Sequence, residues 1–227
     1  MDERVENLGR YRLRQRDHLP KLGTDSKLLA EFATLHPRER ICDLGCGVGV
    51  LALLLARRKA ELTLDGIELN PESAALAVEN LRENGLNGRI ILGDLCDHRK
   101  WYPKPGPFDL VISNPPYFAP GTGEVAFGAR GTARSEGTCS LTELCTAAGW
   151  LLRTGGRFAL CHRPERLADL FQALQQAGME PKRLRLVQYS AAHPPRVVLV
   201  EAVQQGRPGL RVLPTLLLTE TPRNPGN

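Results

Sequence analysis

The chain has 227 residues, 42% of them hydrophobic and 24% charged, which suits one packed domain and argues against wholesale disorder. No apolar run approaches the ~20 residues of a membrane span, and Met1-Asp2-Glu3-Arg4 lacks the basic-then-apolar layout of a secretory signal, so a cytoplasmic protein is expected. The net charge of +5 is compatible with a polyanionic partner but does not by itself establish one.

In chain order, Arg10, Arg12, Arg14 and Arg16 alternate with other residues, so an extended strand would carry all four on one face. At about 3.3 Å per residue the row would run for roughly 20 Å, enough to follow several phosphates. An exposed edge strand guarded by charge is the competing reading. Asp25 to Leu35 has helical spacing with Thr24 as its N-cap, and Pro37 breaks it. Strands and helices then alternate: Arg40–Leu44, helix Gly49–Lys59, strand Leu62–Glu68 and helix Pro71–Asn84, then strands Arg89–Leu92 and Phe108–Ser113. Helix Leu141–Leu152, strand Arg157–Cys161 after Gly155-Gly156, helix Pro164–Ala177, and strands Arg183–Tyr189 and Val197–Val203 follow. The link between those last two is too short for a parallel crossover, so they are expected to be antiparallel neighbours.

The pattern predicts an α/β fold: a Rossmann-like, mostly parallel sheet of seven strands, helices on both faces, and an antiparallel last strand. The expected organisation is an N-terminal basic segment and helix over 1–36, the main domain over 37–206, and a C-terminal extension over 207–227. Residues 118–138 are glycine-rich, without a clear period, and directly follow a strand end. The six cysteines (Cys42, Cys46, Cys96, Cys139, Cys145, Cys161) contain no Cys-x-x-Cys pair and are read as reduced thiols; no metal is expected.

Asp43-Leu44-Gly45-Cys46-Gly47-Val48-Gly49 joins the first core strand to its helix, and Glu68 ends the next strand, where a carboxylate can accept both ribose hydroxyls. Glycines at such a turn can also serve only close helix–strand packing. The spacing is Gly-x-Gly-x-Gly, and the preceding Asp43 would repel a pyrophosphate while suiting a cationic sulfonium with an ammonium group. This turn resembles the first motif of class I S-adenosylmethionine-dependent methyltransferases. The resemblance implies S-adenosylmethionine as cofactor and gives Asp94, in Gly93-Asp94-Leu95, the role of recognising adenine. A loop aspartate that merely caps a turn is the alternative.

Asn114-Pro115-Pro116-Tyr117 follows strand Phe108–Ser113, at the carboxyl end of the sheet where such folds bind ligands. A planar amine is a poor nucleophile because its lone pair is delocalised. Acceptors on its N–H groups, here Asn114 Oδ1 and the Pro115 carbonyl, favour a pyramidal nitrogen, and the Pro-Pro step brings no competing backbone donor. Tyr117 can stack on the planar group. The tetrad resembles that of adenine-N6, guanine-N2 and protein-glutamine methyltransferases.

Lys21-Leu22-Gly23-Thr24-Asp25 with Leu28-Leu29-Ala30 is similar to the segment before the first motif in bacterial tRNA (adenine-N6)-methyltransferases acting on valine tRNA, where the target is adenine 37. Ala133-Arg134 and Pro195-Arg196-Val197 extend the likeness. It implies a tRNA substrate and adds Lys21, Gly23, Thr24, Asp25, Leu69, Leu95 and Asn114 to the cofactor site. Arg10, Arg12, Arg14, Arg16, Arg130 and Arg134 are the candidate phosphate-binding residues. Methylation of guanine-N2 in rRNA or of a protein glutamine amide, and a non-catalytic cofactor-binding RNA scaffold, are the alternatives.

Overall fold

The computed structural model describes residues 3–115 and 139–219. Pro116, Tyr117, Arg130, Arg134 and the whole 118–138 segment lie outside these. The chain opens with a hairpin, β1 (Glu3–Leu8) and β2 (Tyr11–Arg16), followed by α1 (Thr24–Phe32). Then come β3 (Arg40–Leu44), α2 (Val50–Arg58), β4 (Thr63–Glu68), α3 (Pro71–Glu83), β5 (Ile90–Leu92), the short α4 (His98–Trp101) and β6 (Phe108–Ser113). The second half holds α5 (Leu141–Leu151), β7 (Leu152–His162), α6 (Leu167–Gln176), β8 (Met179–Gln188), β9 (Pro195–Gln204) and two short strands, β10 (Arg211–Val212) and β11 (Leu216–Leu217).

The strands order as β8-β9-β7-β6-β3-β4-β5, with β10 and β11 both added to the outer edge of β8. Seven strands thus form the body of the sheet, and β9 alone runs against its neighbours β7 and β8. This is the expected α/β architecture. Side chains alternate between two cores: Ile41, Leu110, Ile112 and Leu199 face α1, α2 and α3, while Cys42, Val111, Phe158 and Val200 face α5 and α6. Helix α2 is buried from Val50 through Ala56 because α1, α3 and the hairpin surround it.

Several boundaries differ from expectation; β8, for one, begins at Met179 rather than Arg183, and α6 at Leu167 rather than Pro164. Helix α1 is capped by Gly23 rather than by a Thr24 side chain, and it ends at Phe32, not Leu35. The buried Glu201 carboxylate on β9 accepts both the Thr34 backbone N–H and its hydroxyl, at 2.8 Å each, and draws the chain out of the helix. Strand β7 begins at Leu152 rather than Arg157, carrying Gly155-Gly156 through the irregularity in its pairing with β6. Arg10 lies in the hairpin turn, so only Arg12, Arg14 and Arg16 form the row on β2.

Candidate active site

Ladder register places the two motifs side by side. Asp43 on β3 pairs with Ile112 on β6, and two residues further along each strand lie Gly45 and Asn114. The buried Ser113 hydroxyl donates to the Leu44 carbonyl at 2.7 Å, tying the two carboxyl-terminal ends together. Both motifs therefore open on one rim of the sheet, the rim where open α/β folds take their ligands.

The glycine turn has positive φ at Gly45, Gly47 and Gly49 (76°, 55° and 83°), a conformation closed to most side chains. A Cβ on Gly49 would also meet Leu81 and Ala77 of α3 at 3.4–3.5 Å. The turn is pinned to β4: the Gly45 N–H donates to the Ile67 carbonyl at 2.9 Å, and the Gly47 N–H to Glu68 Oε2 at 2.8 Å. Glu68 Oε1 accepts the Asn70 N–H at 2.8 Å, so one partly exposed carboxylate is held at both oxygens and keeps lone pairs for a ligand's hydroxyls. Leu69 beside it is 45% exposed, an apolar surface at the same rim.

Asp43 is the electrostatic anomaly. Its side chain is 4% exposed, and neither carboxylate oxygen has a hydrogen-bond partner. Burial, reinforced by the nearby Glu68 charge, pushes its pKa up to about 8. A buried acid without a counter-charge, beside a turn whose Gly45 is exposed and Gly47 half-buried, fits a ligand that carries a cation. Asp94 Oδ1 accepts the Cys96 N–H at 2.8 Å and caps the following 3₁₀ turn, which contains Leu95. The turn-capping role is thus real; Leu95 packs against the second core.

Asn114 is held from two sides. Its Nδ2 donates to Ser26 Oγ on α1 at 2.9 Å, and its Oδ1 accepts the Cys161 thiol of β7 at 2.7 Å. The amide is thereby oriented, and Oδ1 keeps a second lone pair for a substrate hydrogen. Pro115 is buried beside it. Ser26 is unmarked in the sequence, and Cys161 reads there only as one of six reduced thiols. Each reaches Asn114 across a large sequence separation, and neither has a local pattern to mark it.

The N-terminal candidates divide. Pro20 lies 3.8 Å from where a Gly47 Cβ would stand, and Gly23 faces open space, so their segment borders the glycine turn. The Lys21 ammonium, however, pairs with Asp17 at 2.8 Å. Asp25 meets Arg196 of β9 at 3.4 Å, linking the start of α1 to that strand, and Thr24 opens the helix between them.

Two arginines of the row are paired with acids, while Arg12 is exposed and bonds Asn84 through its backbone alone. Arg14 pairs with Glu3 and Glu83 at 2.7 and 2.8 Å, and Arg16 with Glu72 at 2.8 Å. Arg10 stacks over Tyr11 and donates to its hydroxyl. The row lies along α3, held by two asparagines one turn apart: Asn80 and Asn84 each pair with both the N–H and the carbonyl of a β2 residue, Arg14 and Arg12 respectively. The guarded-strand reading accounts for Arg14 and Arg16.

Residues 20–177 match the methyltransferase small domain family. The chain is 36% identical over 190 residues to a tRNA1(Val) (adenine(37)-N6)-methyltransferase of Citrobacter koseri, covering 82% of this chain and 76% of that protein. The protein of the same name from Dickeya chrysanthemi is 34% identical, with 82% and 74% covered. Among solved structures, a predicted O-methyltransferase of Agrobacterium tumefaciens superposes with a TM-score of 0.70 at 22% identity, covering 88% of this chain and 89% of that one. Geranyl diphosphate C-methyltransferase of Streptomyces coelicolor, solved with S-adenosyl-L-homocysteine, gives 0.58 at 13% identity, with 79% of each chain covered.

Proposed function

Since this chain belongs to the methyltransferase small domain family, we propose that it transfers a methyl group from S-adenosylmethionine to the exocyclic N6 amine of an adenine in tRNA, with adenine 37 of a valine tRNA as the target. The observation that carries the reading is the oriented Asn114 amide beside the glycine turn on one sheet rim. The residues present fit the cofactor: the orphaned Asp43 carboxylate suits its cationic end, Glu68 the ribose hydroxyls, and Asp94 with Leu69 and Leu95 the adenine. When bound, S-adenosylmethionine supplies a methyl on a sulfonium whose leaving group is a neutral thioether.

The protein's own work is positioning. Asn114 Oδ1 and the Pro115 carbonyl accept the two N–H hydrogens of the target amine, turning its lone pair out of the ring plane. Ser26 and Cys161 keep the Asn114 amide from rotating during that step. Tyr117, last in the tetrad, supplies the stacking face for a base turned out of an RNA loop. No strong general base is required, because the amine hydrogens are already paired and the proton leaves after transfer. The protein acts where tRNA is, in the cytoplasm; no helix among its described residues is long and apolar enough to cross a membrane.

The test is incubation with labelled S-adenosylmethionine and total tRNA, followed by nucleoside analysis. The expected product is N6-methyladenosine in valine tRNA. Label on guanine, on protein, or nowhere would overturn the assignment.

A further inference from the structure

Cys96 and Cys139 stand 43 residues apart in sequence, yet their sulfurs lie 3.0 Å from each other, the Cys96 thiol donating to Cys139 Sγ. The other four cysteines, Cys42, Cys46, Cys145 and Cys161, are buried, whereas these two are partly exposed. A small oxidant therefore meets first the one pair already in contact. The sulfurs need to close by about 1 Å to reach the S–S bond length of about 2.05 Å.

We propose that Cys96 and Cys139 form a reversible disulfide, a redox modification site attached to the turn that carries Asp94. With a low-molecular-weight disulfide as oxidant, one protein thiolate attacks a reagent sulfur and releases one small thiol. The second protein thiolate then displaces the other half. The protein loses two hydrogens and gains one S–S bond, and the reagent's S–S bond ends as two thiols. Burial holds both thiols above their ordinary range, and the facing Asp94 and Glu143 carboxylates add to this, so the exchange accelerates as pH rises.

The consequence for the cofactor site rests on the function proposed above. The Cys96 N–H holds Asp94 Oδ1, and Cys139 directly precedes Ser140, the N-cap of α5. Drawing the sulfurs together moves the residue that orients Asp94, so oxidation weakens cofactor binding. Glu143 also lies within 4.8 Å of both sulfurs, which makes a soft cation the rival occupant. One Glu143 oxygen is committed to the Ser140 N–H and hydroxyl in a capping box, leaving that site short of ligands.

The experiment treats the reduced full chain with oxidised glutathione at pH 8.5, then alkylates, counts thiols and maps peptides. We expect the count to fall from six to four, a linked peptide pair containing residues 96 and 139, and reversal by dithiothreitol. Affinity for S-adenosylhomocysteine should fall at least threefold on oxidation in the wild type and stay unchanged in identically treated Cys139→Ser. Retention of six thiols, linkage of other cysteines, or stoichiometric zinc protecting the pair from the reagent would overturn the proposal. So would a bond that leaves affinity unaltered. A reduced protein that fails to bind S-adenosylhomocysteine would instead count against the methyltransferase reading, and the thiol count would still decide whether the bond forms.

Discussion

Two side chains carry opposite predictions. On the role proposed for Asn114 at the target amine, Asn114→Ala should lower kcat on the order of 10²-fold while S-adenosylhomocysteine binding, measured by calorimetry, stays near wild type. Comparable loss of both would place Asn114 in the fold rather than in the chemistry. Asp43 acts through charge. Its folded pKa near 8 exceeds the ordinary carboxylate value of 3.8, so the folded state binds the proton more tightly. The associated stability is fully present below about pH 4 and is lost as pH rises through about 8. Melting of the cofactor-free protein should therefore fall across that window, and Asp43→Asn should flatten the fall. Equal slopes for the two proteins would refute the assigned protonation.

At the scale of elements, the hairpin is fastened by side chains rather than by sheet pairing. Asn80 is fully buried, and its amide serves the Arg14 N–H, the Arg14 carbonyl and the Val48 carbonyl of the glycine turn. Removing it leaves those groups unpaired, so Asn80→Ala should cost about 3 kcal/mol, on the order of 5–10 °C in Tm, readable by calorimetry. A loss below about 1 kcal/mol would mean the hairpin is held by its apolar side alone. How much of this was legible beforehand depends on range. Strands Arg40–Leu44 and Phe108–Ser113 were readable to the residue because apolar runs and turn residues mark them locally. The glycine turn and the Asn-Pro-Pro-Tyr tetrad were readable for the same reason. What was not legible depends on distant partners: Ser26 and Cys161 gain meaning only from Asn114, and the end of α1 only from Glu201. Charge pattern alone does not show the pairing of Arg14 and Arg16, since their partners Glu83 and Glu72 on α3 lie far along the chain.

Across the whole molecule, the parallel sheet sets the chemistry at one end and leaves two edges to be closed. One edge is the three-residue β5, too short to recruit a partner. The other is β8, ten residues long, and the chain returns after β9 to cover it with β10 and β11, while Leu213, Leu216 and Leu218 pack against the first core. These closing residues carry no part of the proposed site. A protein cut after Gly206 would bare a long strip of unpaired amides and carbonyls on β8. Such a truncation should retain cofactor affinity yet precipitate or form high-mass species in light scattering at concentrations where the full chain stays monodisperse. The last stretch of sequence would then be a guard against the molecule's own copies, kept for what it prevents.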